Sequence, residues 1–283
     1  MSKALTLWHP EILVDVPGCP QSIITRMVLQ TARDFCEKTL SWVEKHANIS
    51  AVAVNGTDIA FVASSPATIT STSTDLSVFT AAQVINTSSS ENPGPFTLAS
   101  AAENLLTLVA GDTLTAEDAG ASVYIGSATY ALTSTSGDII GIDKVKYDHI
   151  DIDPISEFAL NSIASNWETL MAETPKSYLM NQDRYLRLVY CPNTAVTGGI
   201  EAWIYLKPLL TATTLENYLY TDFFECIADG ARYRLLKMPK QTWTDLKLSA
   251  FYGQEYDRKR SIAGNKRYDG YVQRPMKVRM RAF

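Results

Sequence analysis

The chain has few of the residues that build disulfide frameworks and common catalytic sites. It contains four widely spaced cysteines with no CxxC pair, and only three histidines. This usage is typical of reduced, mostly buried thiols in a protein assembled in the cytosol. No apolar run approaches the roughly 20 residues that span a bilayer. Residues 1–11 lack the charged and apolar regions of a signal peptide. We therefore expect no membrane partner and no secretion.

Familiar catalytic motifs are missing as well. The sequence has no GxxxxGK[ST], GxGxxG, GxSxG or HExxH, which mark phosphate, dinucleotide, nucleophile and zinc sites. The best metal candidate is His149, Asp151 and Asp153, which would share one face of a strand. Any half-buried acidic strand gives such alternation, so an exposed polar face is the stronger interpretation. We predict no catalytic residue, no metal site and no cofactor, and hence no enzyme.

Charge is distributed very unevenly along the chain. Residues 232–283 contain fourteen Lys/Arg and four Asp/Glu, a net charge of +10, whereas residues 1–231 carry 11 − 26 = −15. A cationic end on an anionic body favours head-to-tail contact with complementary neighbours, or contact with a polyanion. Charge alone does not choose between them. The 46% hydrophobic and 19% charged fractions are those of a folded protein.

Apolar residues at steps of three and four predict four helices. A helix is expected over residues 20–46, where Pro20 suits the first turn and Ile24, Val28, Ala32 and Phe35 form one stripe. Residues 1–19 are interpreted as an irregular arm. The other helices are predicted over residues 154–173, 215–237 and 244–266, with Pro239 ending the third.

Residues 56–127 have a different composition and predict an inserted β-module. Fourteen of the 27 residues between Ser64 and Ser90 are Ser or Thr, and residues 58–118 contain seven acidic residues and no Lys or Arg. Short β-branched and aromatic segments recur about every ten residues between turn formers, as in a small barrel or sandwich. A disordered linker is the rival interpretation, but it would not carry recurrent apolar pairs. The predicted strands lie at 61–62, 68–70, 84–86, 96–98, 106–108 and 123–125.

The predicted fold class is α+β: a helical-bundle framework with a β-hairpin and strands, carrying the inserted all-β module. The framework comprises residues 1–55 and 128–273, with further strands at 129–133 and 139–152. Strands at 185–191 and 200–207, joined by the loop 192–199, are expected to form the hairpin. The basic residues 274–283 form a separate extended tail.

The basic C-terminal region allows three interpretations. Arg258-Lys259-Arg260 with Lys266-Arg267 could bind nucleic acid along a helix, aided by Tyr256 and Tyr268. The run could instead be a solvated cationic face. In the tail, Lys277, Arg279 and Arg281 alternate with Met276, Val278 and Met280. That period of two suits an extended strand added to a partner's sheet edge, and we favour it for the tail.

A series of short motifs resembles the head-to-tail adaptor (connector) proteins of tailed, particularly short-tailed, bacteriophages. The similarity covers residues 1–55 and 128–283, and its specificity comes from the order of loose motifs. The matching parts are Val16-Pro17-Gly18-Cys19-Pro20, the following helix through Phe35-Cys36 and Trp42, Pro175, Tyr178, Lys207-Pro208, Asp229-Gly230-Ala231-Arg232, Leu235-Leu236-Lys237-Met238-Pro239, Trp243 and the Arg-rich end at Phe283.

The resemblance implies a dodecameric ring of this chain beneath the portal protein of a virion, bound also to a tail or nozzle protein and leaving a channel for double-stranded DNA. The tail would dock into the portal, and no catalytic residue is implied. Gly230 and Trp243 are expected at subunit packing contacts, Gly230 because a glycine in a striped helix indicates a close neighbour. The residues predicted to dock are Arg274, Met276, Lys277, Val278, Arg279, Met280, Arg281 and Phe283.

Three other functions stay open at this stage. The chain could be a phage decoration or adhesin-type binding module that acts through the β-insertion. It could bind nucleic acid, or use residues 149–153 as a metal-dependent enzyme. A ring formed only on the portal favours the adaptor, and a stable trimer alone favours an adhesin.

Overall fold

The computed structural model describes residues 2–181 and 184–268. Contacts divide these residues into two units. The helical unit contains residues 2–43, 134–140 and 205–268, and the β unit contains residues 44–133 and 141–204. The α-helices are α1 (His9–Leu13), α2 (Gln21–Thr39), α3 (Glu157–Ile163), α4 (Asn217–Leu236) and α5 (Leu246–Tyr268).

The described residues also form many strands. In chain order they are β1 (Ser2–Ala4), β2 (Val43–Ala51), β3 (Ala53–Gly56), β4 (Ala60–Val62), β5 (Thr68–Thr70), β6 (Val84–Thr87), β7 (Phe96–Ala102), β8 (Leu105–Leu108), β9 (Val123–Ser127), β10 (Thr129–Ala131), β11 (Asp138–Tyr147), β12 (Ile150–Pro154), β13 (Met171–Ala172), β14 (Ser177–Met180), β15 (Tyr185–Val189), β16 (Cys191–Pro192), β17 (Val196–Lys207) and β18 (Thr214–Glu216).

The predicted helical-bundle framework is wrong, because the described residues are mostly β. Strands greatly outnumber α-helices, and two seven-stranded sheets run in the orders β10-β15-β14-β12-β11-β17-β2 and β3-β9-β6-β7-β8-β5-β4. We call the second the module sheet. Three long helices give the clearest apolar stripes in the sequence. The chain between them forms a larger number of short strands, which have weaker patterns. Periodicity reports the type of each segment and not which sheet it joins.

The predicted hairpin of residues 185–191 and 200–207 is also wrong. β15 and β17 lie in one sheet, but β14, β12 and β11 separate them. After β15 the chain passes through β16, which pairs in parallel with β13. Adjacent strands in a sequence often pair, but here the partners of β17 come from distant segments.

In the helical unit, α2, α4 and α5 pack against one another. α2 begins after Pro20 and ends at Thr39, because Leu40 takes a left-handed conformation with φ 50°. It is therefore shorter than predicted, and His46 lies in β2. The predicted stripe of Ile24, Val28, Ala32 and Phe35 is fully buried.

The predicted irregular arm contains ordered structure. β1 is followed by a 3-10 helix and by α1, and Trp8 is completely buried. The Trp8 ring stacks on Phe224, with centroids 5.5 Å apart, and its indole nitrogen donates to the Phe224 carbonyl at 3.2 Å. These contacts hold the N-terminal segment against α4.

The module sheet contains the predicted strands of residues 56–127, and its neighbouring strands pair in antiparallel. Its apolar side chains form one cluster, and the largest fully buried members are Ile59, Phe61, Ile69, Leu76, Phe79 and Ile85. The long helix predicted over residues 154–173 is replaced by β12, α3 and a 3-10 helix. Its predicted stripe is incomplete, since Ile163 is 74% exposed.

Candidate assembly surface

Helix α5 is the element that separates a packed side from an exposed side most clearly. Asp245 caps its first turn, accepting from the Lys247 and Leu248 amides at 2.9 and 3.0 Å. Ser249, Tyr256 and Ala263 are buried and lie seven residues apart. This spacing gives a narrow seam against a neighbouring helix. Other positions of α5, among them Phe251 and Ile262, are exposed.

Two large apolar side chains lie on the exposed side of α5. Phe251 and Ile262 are 55% and 45% exposed. They are eleven residues apart, so at 3.6 residues per turn they point within about 20° of each other. Arg258 lies between them in sequence, within about 40° of both directions, and is exposed. We call Phe251, Arg258 and Ile262 the outer α5 strip.

Three neighbouring cations of α5 are paired within the chain. Arg258 Nη2 contacts Glu255 Oε2 at 2.6 Å, and Arg260 Nη2 contacts Asp257 Oδ1 at 2.9 Å. Lys259 Nζ contacts Asp229 Oδ2 at 2.7 Å and Glu225 Oε2 at 3.1 Å. The first part of the predicted nucleic-acid stripe, residues 258–260, therefore has its charge balanced locally, which weakens its attraction for phosphates.

A buried ion cluster joins α1 to α4. Arg232, whose side chain is 8% exposed, contacts Asp15 Oδ2 through Nε at 2.8 Å. It contacts Glu11 Oε1 through Nη2 at 2.8 Å and Asp229 Oδ1 through Nη1 at 3.1 Å. The Tyr252 hydroxyl also donates a hydrogen bond to Asp15 Oδ2 at 3.0 Å. Every nitrogen of this guanidinium therefore lies within 3.1 Å of a carboxylate oxygen, and only the contact at Nε lacks hydrogen-bond geometry.

Gly230 lies where three helices approach closely. A methyl group added there would meet Thr31 Cγ2 of α2 and would lie 2.7 Å from the Tyr256 ring of α5. The close neighbours that the structure shows are thus inside the chain. The role of Gly230 in packing between subunits stays a prediction.

Trp243 lies in the turn between α4 and α5 and is half-buried. Its indole Nε1 is buried and has no hydrogen-bond partner within the described part of the chain. The predicted portal-docking tail, residues 274–283, lies outside the described residues. The predicted contacts of Trp243 and of the tail with other chains stay predictions.

His149 does not lie in a strand. Asp148 and His149 both have positive φ, 48° and 66°, and form the turn between β11 and β12. The predicted alternation with Asp151 and Asp153 therefore fails at its first member. Among residues 2–181 and 184–268, no group of three or more His, Cys, Asp or Glu side chains is placed to hold a metal ion.

All four cysteines are free and buried, as the sequence predicts. Burial raises the pKa of the Cys36, Cys191 and Cys226 thiols to about 12. Thiols with such a pKa are not deprotonated near neutral pH and are poor nucleophiles.

Sequence reasoning missed the partners of the arginines on α4. Glu11 and Asp15 lie more than 200 positions before Arg232, and Asp34 is as far from Arg234. A local signal did exist in Glu11 and Asp15 themselves, an acidic pair four residues apart in the predicted arm.

A comparison with models of protein families gives no match, and a comparison with curated proteins gives none either. No helix of the described residues is long and apolar enough to cross a membrane.

Proposed function

We propose that this chain is a virion structural protein, a head-to-tail adaptor that forms a ring, joins the portal to the tail and leaves a channel for DNA. The observation that carries the proposal is the outer α5 strip. A helix packed along one seam, with large apolar side chains exposed on another side, is suited to a second helix from a neighbouring copy.

Charge supports contact between copies of the chain. The cationic end of the sequence begins on α4 and the rest is anionic, so a head-to-tail arrangement brings opposite charges together. Paired cations on α5 limit sticking to DNA that passes through the ring. The order of adaptor-like motifs along the sequence supports the same assembly.

The test of the ring is the size and symmetry of the purified protein, alone and with the portal protein of the same phage, by sedimentation velocity and electron microscopy. We expect a ring on the portal. The double change Phe251→Asp and Ile262→Asp should abolish the ring. A matched control is Leu246→Asp, since Leu246 is 68% exposed but lies about 140° away from Phe251 around α5.

A ring that forms equally well with both variants would show that the outer α5 strip is not the contact. Absence of any ring with the unchanged chain would contradict the adaptor itself. Far-UV circular dichroism of each variant separates lost assembly from lost folding.

The docking role of the tail needs a separate experiment. Deleting residues 274–283 should abolish binding to the portal while the far-UV spectrum stays unchanged, because the strand pattern suits addition to a partner's sheet edge. Normal binding of the shortened chain in a portal pull-down would contradict the proposed docking role of residues 274–283.

A binding module of the decoration or adhesin type is the second candidate. It is favoured by the module sheet, which has its own cluster of buried apolar side chains, and by the acidic charge of residues 58–118. A stable trimer that forms without the portal would support this candidate over the adaptor.

A further inference from the structure

A cleft in the helical unit brings together three cations from three helices. Lys38 comes from α2, Arg234 from α4 and Arg260 from α5, and all three line the same cleft with Asp34. Each contacts the Asp34 carboxylate, with nitrogen-to-oxygen distances of 3.4 Å for Lys38, 3.5 Å for Arg234 and 3.7 Å for Arg260. One carboxylate is thus shared by three positive groups.

These contacts leave much of the donor capacity of the cations unused. Charge-assisted hydrogen bonds from nitrogen to a carboxylate measure about 2.7–2.9 Å, and all three distances are longer. The short bond to Asp34 comes from the Tyr256 hydroxyl, which donates to Oδ2 at 2.8 Å. The cations therefore surround Asp34 without binding it closely.

The charges that line the cleft do not balance. Asp257 is the second carboxylate there and contacts Arg260 Nη2 at 2.9 Å. With Lys38, Arg234 and Arg260 against Asp34 and Asp257, the formal charge is 3 − 2 = +1. The cleft can accept one further negative group before its charge is neutralised.

Arg234 differs sharply from Arg232, two residues earlier on the same helix. Arg232 places each of its three guanidinium nitrogens on a carboxylate within 3.1 Å. Arg234 has one carboxylate contact among the described residues, at 3.5 Å, and its side chain is 31% exposed. Charge-assisted bonds to a carboxylate are normally shorter than this, so Arg234 keeps donor capacity for a further acceptor.

We propose that this cleft binds a single oxyanion, carried by a phosphate or a carboxylate group, through Arg234, Arg260 and Lys38. Two guanidinium groups and one ammonium group that converge on one space are the donors that such an anion prefers. The ligand would supply a further acceptor for Arg234 and neutralise the excess positive charge. The proposal is independent of the proposed adaptor function.

The test is titration of the full chain with inorganic phosphate and, separately, with acetate, at constant ionic strength set by sodium chloride. Thermal unfolding followed by circular dichroism is one measurement, and the side-chain Nε–H resonances of the arginines in a nitrogen-15 spectrum are another. We expect a saturable rise in the unfolding midpoint with at least one anion, together with a shift of the Arg234 resonance.

Phosphate also stabilises proteins by exclusion from their surface, so variants must separate binding from that effect. Arg234→Gln should remove the saturable response. Arg26→Gln is the matched control, because it removes the same charge from an exposed position on α2 outside the cleft and should respond like the unchanged chain. An equal response of all three proteins, or no saturable response to either anion, would overturn the proposal.

Lys38→Gln covers the case in which Arg234→Gln fails to fold. The Lys38 side chain is 54% exposed, so its replacement should leave the packing intact and weaken anion binding severalfold. Unchanged anion affinity in this variant would count against the site. If the response of the unchanged chain saturates at the same anion concentration when the protein is diluted, the ligand is the free anion and not a group on a second copy.

Discussion

The helical unit and the module sheet satisfy their polar groups with different chemistry. In the helical unit carboxylates meet arginine and lysine, as in the cluster around Arg232. In the module, residues 58–118 contain no Lys or Arg, and carboxylates accept hydrogen bonds from hydroxyl and backbone groups instead. The ion pairs of the helical unit neutralise the charge of the carboxylates, whereas the hydrogen bonds of the module leave their negative charge in place.

Asp58 is the clearest example in the module. Its carboxylate accepts from the Ser71 hydroxyl at 2.6 Å, from the Thr74 hydroxyl at 2.5 Å, and from the amides of Thr72, Ser73 and Thr74 at 2.5–3.0 Å. These bonds, the Ser71 hydroxyl first, hold the pKa of Asp58 well below its ordinary range. The serines and threonines of this loop thus stabilise it by donating hydrogen bonds to Asp58. The comparison shows that a Ser/Thr-rich segment can be ordered by hydrogen bonds in place of ion pairs.

The largest effect is expected from breaking the ion cluster of the helical unit. Arg232→Met should lower the free energy of unfolding by about 3 kcal/mol, because Asp15 and Asp229, whose side chains are 21% and 7% exposed, lose a cationic partner. Lys259 still pairs with Asp229 in the variant, which places the loss at the lower end of the usual range. Urea unfolding followed by the helical circular dichroism signal measures it.

Arg258→Met is the control for that change, since the Arg258 side chain is 58% exposed and exposed ion pairs contribute little. Equal stability of Arg232→Met and the unchanged chain would show that the cluster does not stabilise the helical unit.

A smaller effect is expected from the close helix packing around Gly230. Gly230→Ala should destabilise the helical unit by about 1–3 kcal/mol, because the added methyl group collides with Thr31 and the Tyr256 ring. Gly264→Ala on α5 is the control: nothing lies within 4 Å of its added methyl group, and alanine favours a helix. If thermal unfolding ranks Gly230→Ala as the more stable of the two, the close packing described for Gly230 is not what limits stability.

The smallest effect is expected in the module. Asp58→Asn should lower the stability of the loop 71–74 at pH 7, measured as faster hydrogen exchange of the Ser73 and Thr74 amides. The folded pKa of Asp58 lies below the unfolded value, so its stabilisation is fully present above about pH 4 and is lost as the pH falls further. The difference between the two proteins should therefore be constant from neutral pH to about pH 5 and shrink below about pH 4.

Asp75→Asn is the matched control, since Asp75 accepts a backbone hydrogen bond from the Ser77 amide at 2.8 Å and should matter less than Asp58. A difference that grows as the pH falls would contradict the assigned role of Asp58.

Local patterns in the sequence predicted the long helices and the short strands well. The helices expected over residues 215–237 and 244–266 are α4 and α5 with bounds shifted by about two residues, and the predicted strand 68–70 is β5. Such elements are specified by nearby residues, through apolar stripes, caps and turn formers. The helix at residues 154–173 was wrong because a sparse stripe was extended through Ile163, which is exposed.

The framework and the cleft could not be predicted in this way. Which strands pair in a sheet depends on backbone hydrogen bonds between distant segments. β17 lies between β11 and β2, and nothing in the sequence of β17 indicates these two partners. In the cleft, Lys38 and Arg234 are separated by almost 200 residues. Their excess charge exists only where the three helices meet.

The sequence by itself determined the uneven charge, the absence of basic residues from the module, and the positions of α2, α4 and α5, because each depends on composition or on neighbours within a few turns. The tertiary structure alone decided that Arg232 lies within 3.1 Å of three carboxylates, while Arg234, two residues later, has one carboxylate contact among the described residues, at 3.5 Å. Both are arginines on one helix, and they differ only in which distant carboxylates the fold brings to them. Local physics sets an element and its exposed groups, but the partners of a buried charge are fixed by packing.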